Sequence, residues 1–91
     1  MAIRIEFYGI ARQRTQTPDV NIPDSDAAMT LGQLLQHVAG LFPDLKDECI
    51  SGERLQAGFV ANIDGQHFVS DPTQIVKPGQ SVLIMSADAG G

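Results

Sequence analysis

The 91-residue chain has little of the chemistry that builds disulfide scaffolds or metal sites, since it contains one cysteine and two histidines. Cys49 alone cannot form an intrachain disulfide or a cysteine-rich metal site. His37 and His67 are too few for the common zinc arrangements without help from cysteine or carboxylates. Because no histidine lies near Cys49 in sequence, we expect a small buried hydrophobe there rather than a nucleophile, and we expect both histidines to be exposed or half-buried. The sequence therefore predicts no metal site.

Other absences exclude further classes of protein. No apolar run approaches 18 residues and no basic, apolar leader opens the chain, so we expect a cytoplasmic protein without membrane contact. The formal net charge is -5, from 11 acidic and 6 basic side chains. Without a lysine or arginine cluster, this balance argues against nucleic-acid binding. The phosphate-binding GxxxxGKS/T and dinucleotide-binding GxGxxG motifs are also missing, so no independent enzyme active site is indicated.

The N-terminal third predicts two strands. From Ile3 to Tyr8, apolar and polar residues alternate before Gly9, which favours a strand with its odd-numbered apolar residues inward. Val20 and Ile22 alternate with polar neighbours and predict a second short strand. The polar segment between the strands is predicted to be a longish hairpin loop.

One helix is strongly indicated in the middle of the chain. Thr30 is a good N-cap residue, and Gln33 completes a capping-box pattern three residues later. Apolar residues then recur at the spacing of one buried helix face, and Pro43 ends the helix. The residues on this face are Leu31, Leu34, Leu35, Val38, Leu41 and Phe42.

The C-terminal half predicts further strands. Residues 44–50 are consistent with a short helical turn and residues 51–54 with an exposed loop. Residues 59–63 have strand character, and Asp64-Gly65 forms the turn to a short partner strand at 67–69. The stretch 82–85 is apolar without alternation, as in a central strand covered on both faces.

This order of elements predicts an α+β fold, a mixed sheet with one main helix packed on one face. If the first and last strands are adjacent and parallel at the centre, the fold is a ubiquitin-like β-grasp. We expect the domain to occupy residues 1–85 and a flexible C-terminal tail to occupy residues 86–91.

The C-terminal tail consists of small residues that contribute nothing to a folded core. Gly90 and Gly91 favour no regular structure and present a carboxylate on a backbone without side chains. Such a segment can thread a narrow channel in another protein. The simpler alternative is that these residues are a frayed chain end without a function. A carboxylate is a poor electrophile and needs activation, typically as an acyl-adenylate. Since the chain has no nucleotide-binding motif, a partner would supply that step.

Several motifs, in order, resemble the ubiquitin-like sulfur-carrier family, which includes the small subunit of molybdopterin synthase and the thiamine sulfur carrier. The resemblance covers the whole chain and ends in the terminal Gly-Gly pair. Its parts are the first strand and loop up to Arg12, the helix start Thr30-Leu31-Gly32-Gln33-Leu34-Leu35, the hairpin Asn62-Ile63-Asp64-Gly65, the turn Pro78-Gly79-Gln80-Ser81-Val82 and the ending Ala89-Gly90-Gly91.

The resemblance implies a mechanism in which Gly91 carries the sulfur. An adenylating activating enzyme would convert the Gly91 carboxylate to an acyl-adenylate with ATP and magnesium, and sulfur would then replace AMP to give a thiocarboxylate. A sulfur-acceptor enzyme, such as a molybdopterin synthase large subunit, would receive the sulfur. The resemblance also implies partner contacts for the residues near the tail and for an apolar patch, with a core or strand-surface role as the alternative for the two apolar residues. The predicted partner contacts are Arg12, Phe68, Met85, Asp88 and Ala89, and the two apolar residues among them are Phe68 and Met85.

Two departures leave the pathway open. The molybdopterin subunit usually carries Pro-Pro before its last residues, where this chain has Ser86-Ala87-Asp88. Residues 46–58 are also longer than in the shortest members and are similar to the carriers of cysteine biosynthesis. Molybdopterin synthesis is the first interpretation, and cysteine or thiamine synthesis is an alternative. A ubiquitin-like modifier that joins Gly91 to a lysine and a simple β-grasp binding module are further alternatives.

Overall fold

A computed structural model describes residues 2–22, 28–46 and 48–87. Within them lie a main helix, a short helix, a 3-10 turn at Pro43–Leu45 and a set of strands. In chain order the elements are β1 (Ile3–Tyr8), α1 (Ile10–Thr15), β2 (Asp19–Ile22), β3 (Met29–Thr30), α2 (Leu31–Leu41), β4 (Ile50–Ser51), β5 (Arg54–Leu55), β6 (Phe59–Ile63), β7 (His67–Val69), β8 (Ile75–Val76) and β9 (Ser81–Ser86). No helix among the described residues is long and apolar enough to cross a membrane.

The main sheet has the strand order β2-β1-β9-β6-β7. Its centre is formed by the first and last strands, which are parallel and pair Ile5 with Val82 and Phe7 with Ile84. β9 pairs on its other side with the antiparallel strand β6. A first strand parallel to a central last strand, with a helix crossing between them, is the ubiquitin-like β-grasp arrangement, so the predicted fold class is confirmed.

Helix α2 begins where its sequence predicts. The Thr30 hydroxyl accepts a hydrogen bond from the Gln33 backbone nitrogen at 3.1 Å, and the Thr30 nitrogen donates to Gln33 Oε1 at 3.0 Å. This reciprocal pair satisfies two amide groups that a helix start otherwise leaves unpaired. The apolar face of α2 then packs on the sheet through Leu31, Leu34, Leu35 and Val38, which are fully or almost fully buried. Leu41, which was predicted on this face, is 49% exposed, and Phe42 follows the helix as its C-cap residue.

Three segments differ from the sequence prediction. The predicted loop after β1 contains α1, a single helix of six residues whose Ala11 is fully buried. The predicted exposed loop at 51–54 is the tip of a small antiparallel hairpin, β4 with β5. The short pair β3 with β8, which lies beside the start of α2, was not predicted.

The turn between β6 and β7 follows the prediction closely. Asp64 and Gly65 have φ values of 56° and 70°, the left-handed conformation that tight hairpin turns require. The Asp64 carboxylate also accepts a hydrogen bond from the Ser81 backbone nitrogen at 2.8 Å. The turn is therefore joined to the start of the central strand β9.

The end of β9 extends past the predicted domain boundary at residue 85. Ser86 is part of the strand and is buried. The backbone nitrogen of Ala87 donates to the carbonyl oxygen of Gly58 at 2.7 Å, which continues the pairing with β6 by one residue. The first two residues of the predicted tail are thus attached to the sheet, and residues 88–91 lie outside the described part of the chain.

Candidate functional site

The sheet has two faces, and only one is covered by α2. Along β1 the odd-numbered apolar residues point into the core, so Arg4, Glu6 and Tyr8 point to the other face. The strand register places this row beside matching rows on the neighbouring strands. We call this surface the open face; it comprises Arg4, Glu6, Tyr8, Val60, Asn62, Phe68, Ser81, Leu83 and Met85.

Apolar side chains occupy the part of the open face nearest the end of β9. Met85 lies between Tyr8 on one side and Val60 on the other, in direct register. Tyr8 is 51% exposed. Phe68, on the edge strand β7, is 70% exposed and lies one row further from the end of β9, in register with Asn62. Exposed large apolar side chains that are grouped on one surface are typical of protein–protein contact sites.

The structure places the predicted apolar contacts on the same face with different roles. Phe68 is the most exposed of them, whereas Met85 is only 8% exposed and forms the floor between Tyr8 and Val60. The sequence prediction missed Tyr8, although the alternation of Ile3, Ile5 and Phe7 already implies that the next residue faces outward.

The opposite end of the open face is charged. Arg4 Nη2 donates to Asp19 Oδ2 at 2.6 Å, and Arg4 Nε lies 3.4 Å from Glu6 Oε1. The hydrogen bond that Arg4 donates to Asp19, with the charges of the Asp19 and Glu6 carboxylates, raises the pKa of Arg4 above its ordinary value. Asp64, whose carboxylate accepts from the Ser81 nitrogen, adds a third carboxylate at this end of the face. This end of the face is therefore net negative.

Arg12 is on α1, which follows β1 and packs against β1 and β9. It lines a depression of about 440 Å³ together with Gly9, Gln13, Gln16, Thr17 and Pro18. The structure thus places Met85 and Phe68 on the open face, whereas Arg12 lines a different depression. The role of Arg12 in partner binding stays a prediction.

The region around Cys49 is structural rather than reactive. Its thiol is fully buried, and burial raises its pKa to about 11. A thiol with such a pKa is almost entirely protonated near neutral pH and is a poor nucleophile. The neighbouring Glu48 is held by Arg14 through two hydrogen bonds of 2.7 and 2.9 Å, which lower the pKa of the Glu48 carboxyl.

The residues that the sequence predicts to react come after β9 in the chain. β9 runs from the charged end of the open face towards its apolar end, so the chain leaves the sheet beside Met85 and Tyr8. Asp88, Ala89, Gly90 and Gly91 come next and lie outside the described residues. Among the described residues no three histidine, cysteine or acidic side chains are grouped closely enough to hold a metal ion.

Comparisons of the chain with known proteins give matches by structure alone. No protein-family model matches the chain, and no curated protein sequence matches it significantly. The solved structure of SAMP1 from Haloferax volcanii is similar over 100% of both chains, with a TM-score of 0.81 and 15% sequence identity. The small archaeal modifier protein 1 from Methanosarcina acetivorans gives a TM-score of 0.71 at 15% identity, covering 99% of this chain and 96% of that one.

A more distant structural relative has the same architecture. Urm1 from Trypanosoma brucei matches with a TM-score of 0.58 and 15% identity, covering 99% of this chain and 95% of its own. At these identities the likeness shows the fold. The chain has the ubiquitin-like β-grasp fold over essentially its whole length.

Proposed function

We propose that the chain is a ubiquitin-like carrier or modifier whose Gly91 carboxylate is activated as an acyl-adenylate by a separate enzyme that uses ATP and magnesium. The observation that supports this most is the place where the described chain ends, four residues before Gly91 in the sequence. The central strand β9 ends at Ser86, and the next residue, Ala87, donates a hydrogen bond to the carbonyl oxygen of Gly58. Four further residues span at most about 14 Å, so Gly91 can reach into a partner while the domain stays docked outside.

The open face is the surface on which the activating enzyme would dock. Tyr8 and Phe68 offer exposed aromatic rings on this face, and β9 ends beside Tyr8. Aromatic residues in such positions often supply much of the binding energy in protein–protein contacts. Docking here would bring the Gly-Gly segment and the enzyme's nucleotide site together. Asp88 and Ala89, which link the domain to that segment, would line the enzyme's entrance channel.

Protein modification is one fate of the activated carboxylate. A lysine amine of a target would attack the Gly91 carbonyl carbon, AMP would leave and an isopeptide bond would form. The names of two structural relatives support this fate, since SAMP1 is a small archaeal modifier protein. At 15% identity the names give a direction for experiments rather than an assignment.

Sulfur carriage is the second fate, and the sequence resemblance to the sulfur carriers supports it. Sulfide sulfur would attack the same carbonyl carbon, AMP would leave and Gly91 would become a thiocarboxylate. A molybdopterin synthase large subunit is the acceptor that the resemblance suggests first, with cysteine or thiamine synthesis as the alternatives. The similar solved structures carry the names SAMP1, small archaeal modifier protein 1 and Urm1, and none of these names refers to molybdopterin synthesis. A cytoplasmic location is proposed with either fate.

The activation step is tested with ATP–pyrophosphate exchange by an adenylating enzyme of the ubiquitin-activating type from the same organism. We expect exchange to require this chain and to disappear when Gly91 is deleted. Tyr8→Ala and Phe68→Ala should each raise the KM for the chain about tenfold with a smaller effect on kcat, because they remove docking contacts.

Leu41→Ala is the matched control for these variants. The side chain of Leu41 is 49% exposed, nearly the same fraction as that of Tyr8. It lies on α2, however, which covers the other face of the sheet. Its KM should match the wild type. An equal rise in KM for all three variants would contradict docking through the open face, and exchange that survives deletion of Gly91 would contradict the proposed function itself.

A further inference from the structure

A notch lies at the charged end of the open face. It is a shallow depression of about 320 Å³, and its floor and walls come from β1, β6, β9 and the turn after β6. Ser81 is small and leaves room above the central strand. The residues that line the notch are Glu6, Asn62, Asp64, Gly65, Ser81 and Leu83.

Asn62 is the unusual member of this group. Its side chain is only 6% exposed, and its Oδ1 atom accepts no hydrogen bond within the described part of the chain. A buried acceptor without a donor costs about 1–3 kcal/mol of stability. Its neighbours in register, Leu83 and Phe68, are apolar, so an apolar side chain would suit this position. A donor from another molecule would satisfy this acceptor.

The charge around Asn62 defines what that partner must be. Glu6 lies two strands away across Leu83, about 10 Å apart at the backbone. Asp64 is fixed on the near side, where its carboxylate accepts from the Ser81 nitrogen at 2.8 Å and from Gln80 Nε2 at 3.2 Å. Carboxylate oxygens have further acceptor capacity beyond these bonds. The notch thus has carboxylates on two sides. Glu6 is paired with Arg4, whose Nε lies 3.4 Å from Glu6 Oε1, so the two carboxylates and this arginine together leave one net negative charge.

We propose that this notch binds the guanidinium group of an arginine of the protein that docks on the open face, a proposal that rests on the proposed function. The planar guanidinium presents five N–H donors in a fixed fork, enough to reach Glu6, Asp64 and the Asn62 oxygen together. A lysine ammonium is a compact charge and cannot bridge both walls in the same way. In the bound form the Asn62 amide would rotate, so that its oxygen, which is buried in the free chain, accepts from the guanidinium. The notch would set the register of the partner, while Tyr8 and Phe68 supply apolar contact.

The test is an NMR titration of the full chain, labelled with ¹⁵N, with three small probes. N-acetyl-arginine methylamide carries the guanidinium, N-acetyl-citrulline methylamide has the same shape without charge, and N-acetyl-lysine methylamide has charge without the fork. We expect saturable shifts of the Asn62 side-chain amide and of the Ser81 and Gly65 backbone amides with the arginine probe. The shifts should be weaker with lysine and absent with citrulline.

Variants make the test specific to the notch. Glu6→Gln should weaken the binding of the arginine probe about two- to fivefold, as expected for the loss of one partly exposed ion pair. Asn62→Leu should abolish the shifts at Ser81 and Gly65. Glu53→Gln is the matched control, because Glu53 is an exposed acid in the β4–β5 turn, outside the notch.

Three results would overturn the proposal: no saturable shift at these amides, an equal response to the citrulline probe, or unchanged binding in Glu6→Gln. Because the titration needs no activating enzyme, its failure is distinct from a failure of the proposed function. Arginine binding without any adenylation of Gly91 would reject the proposed function and leave the notch as a binding site.

Discussion

Asn62 is a buried polar residue whose side chain lowers stability in the free chain. Its buried Oδ1 atom has no donor among the described residues, while apolar neighbours lie on both adjoining strands. We expect Asn62→Leu to leave the free energy of unfolding unchanged or to raise it by up to about 1 kcal/mol, because the unpaired acceptor is removed and apolar area is buried. Urea denaturation monitored by circular dichroism measures this change.

Asn21→Leu is a suitable comparison for that measurement, since Asn21 is exposed on the edge strand β2. Its free energy of unfolding should stay close to that of the wild type. A loss of stability well above 1 kcal/mol in Asn62→Leu would mean that the amide has a structural partner, which would weaken the case for the notch.

Cys49 allows a second prediction at the residue scale. Its pKa of about 11 leaves about one molecule in a thousand as thiolate at pH 8. We expect the native protein to resist the thiol reagent DTNB for hours at pH 8 and to react stoichiometrically in concentrated urea. Rapid stoichiometric labelling of the folded chain would contradict the buried, protonated thiol.

The raised pKa of Cys49 also makes the free energy of unfolding depend on pH. The folded chain holds the Cys49 proton more tightly than the unfolded chain, whose thiol has a pKa near 9.0. The resulting contribution to stability is present in full below about pH 9 and is lost as the pH rises through about 11. Urea titrations at several pH values should therefore show a steeper decline for the wild type than for Cys49→Ala. An equal decline in the free energy of unfolding for both proteins would contradict the raised pKa of Cys49.

At the scale of the element, α2 contains two glycines in different surroundings. A Cβ atom at Gly32 would lie 2.9 Å from the Cβ of Glu53 and 3.3 Å from Pro72, whereas nothing lies within 4 Å of one at Gly40. We expect Gly40→Ala to stabilise the protein by about 0.5–1 kcal/mol through helix propensity. Gly32→Ala should destabilise it by about 1–3 kcal/mol, because the crowding atom of Glu53 lies next to the backbone and cannot swing away.

Thermal denaturation of the two variants side by side measures this difference. The helix, the substitution and the propensity gain are the same in both, so the sign of the change reports the packing alone. Stabilisation by both alanines would show that Glu53 does not approach α2 as closely as the structure describes.

Elements whose pattern lies within a few neighbouring residues were predictable from the sequence. The capping box at Thr30 and Gln33 and the alternation along β1 gave both position and orientation. Helix α1 was not predictable, because its only fully buried residue is Ala11 and one buried position shows no period. Two-residue strands such as β3 and β8 are likewise too short to show alternation and depend on their pairing with each other.

At the scale of the whole molecule, the architecture depends on pairing between residues far apart in the chain. The sequence indicated that β9 is central but could not prove that it lies parallel to β1, because that contact joins Tyr8 to Met85. The apolar part of the open face was partly predicted through Met85 and Phe68. The notch was not predicted, since the burial of Asn62 results from the assembly of β1, β6 and β9 around it.

The central claim concerns the Gly91 carboxylate and is tested most directly by trapping its activated form. The purified chain is incubated with the activating enzyme, ATP, magnesium and hydroxylamine, and its intact mass and C-terminal fragment are then determined by mass spectrometry. The account predicts a hydroxamate on Gly91, formed when hydroxylamine displaces AMP, and none without ATP. An unmodified Gly91, with an enzyme shown to activate another ubiquitin-like protein under the same conditions, would contradict it.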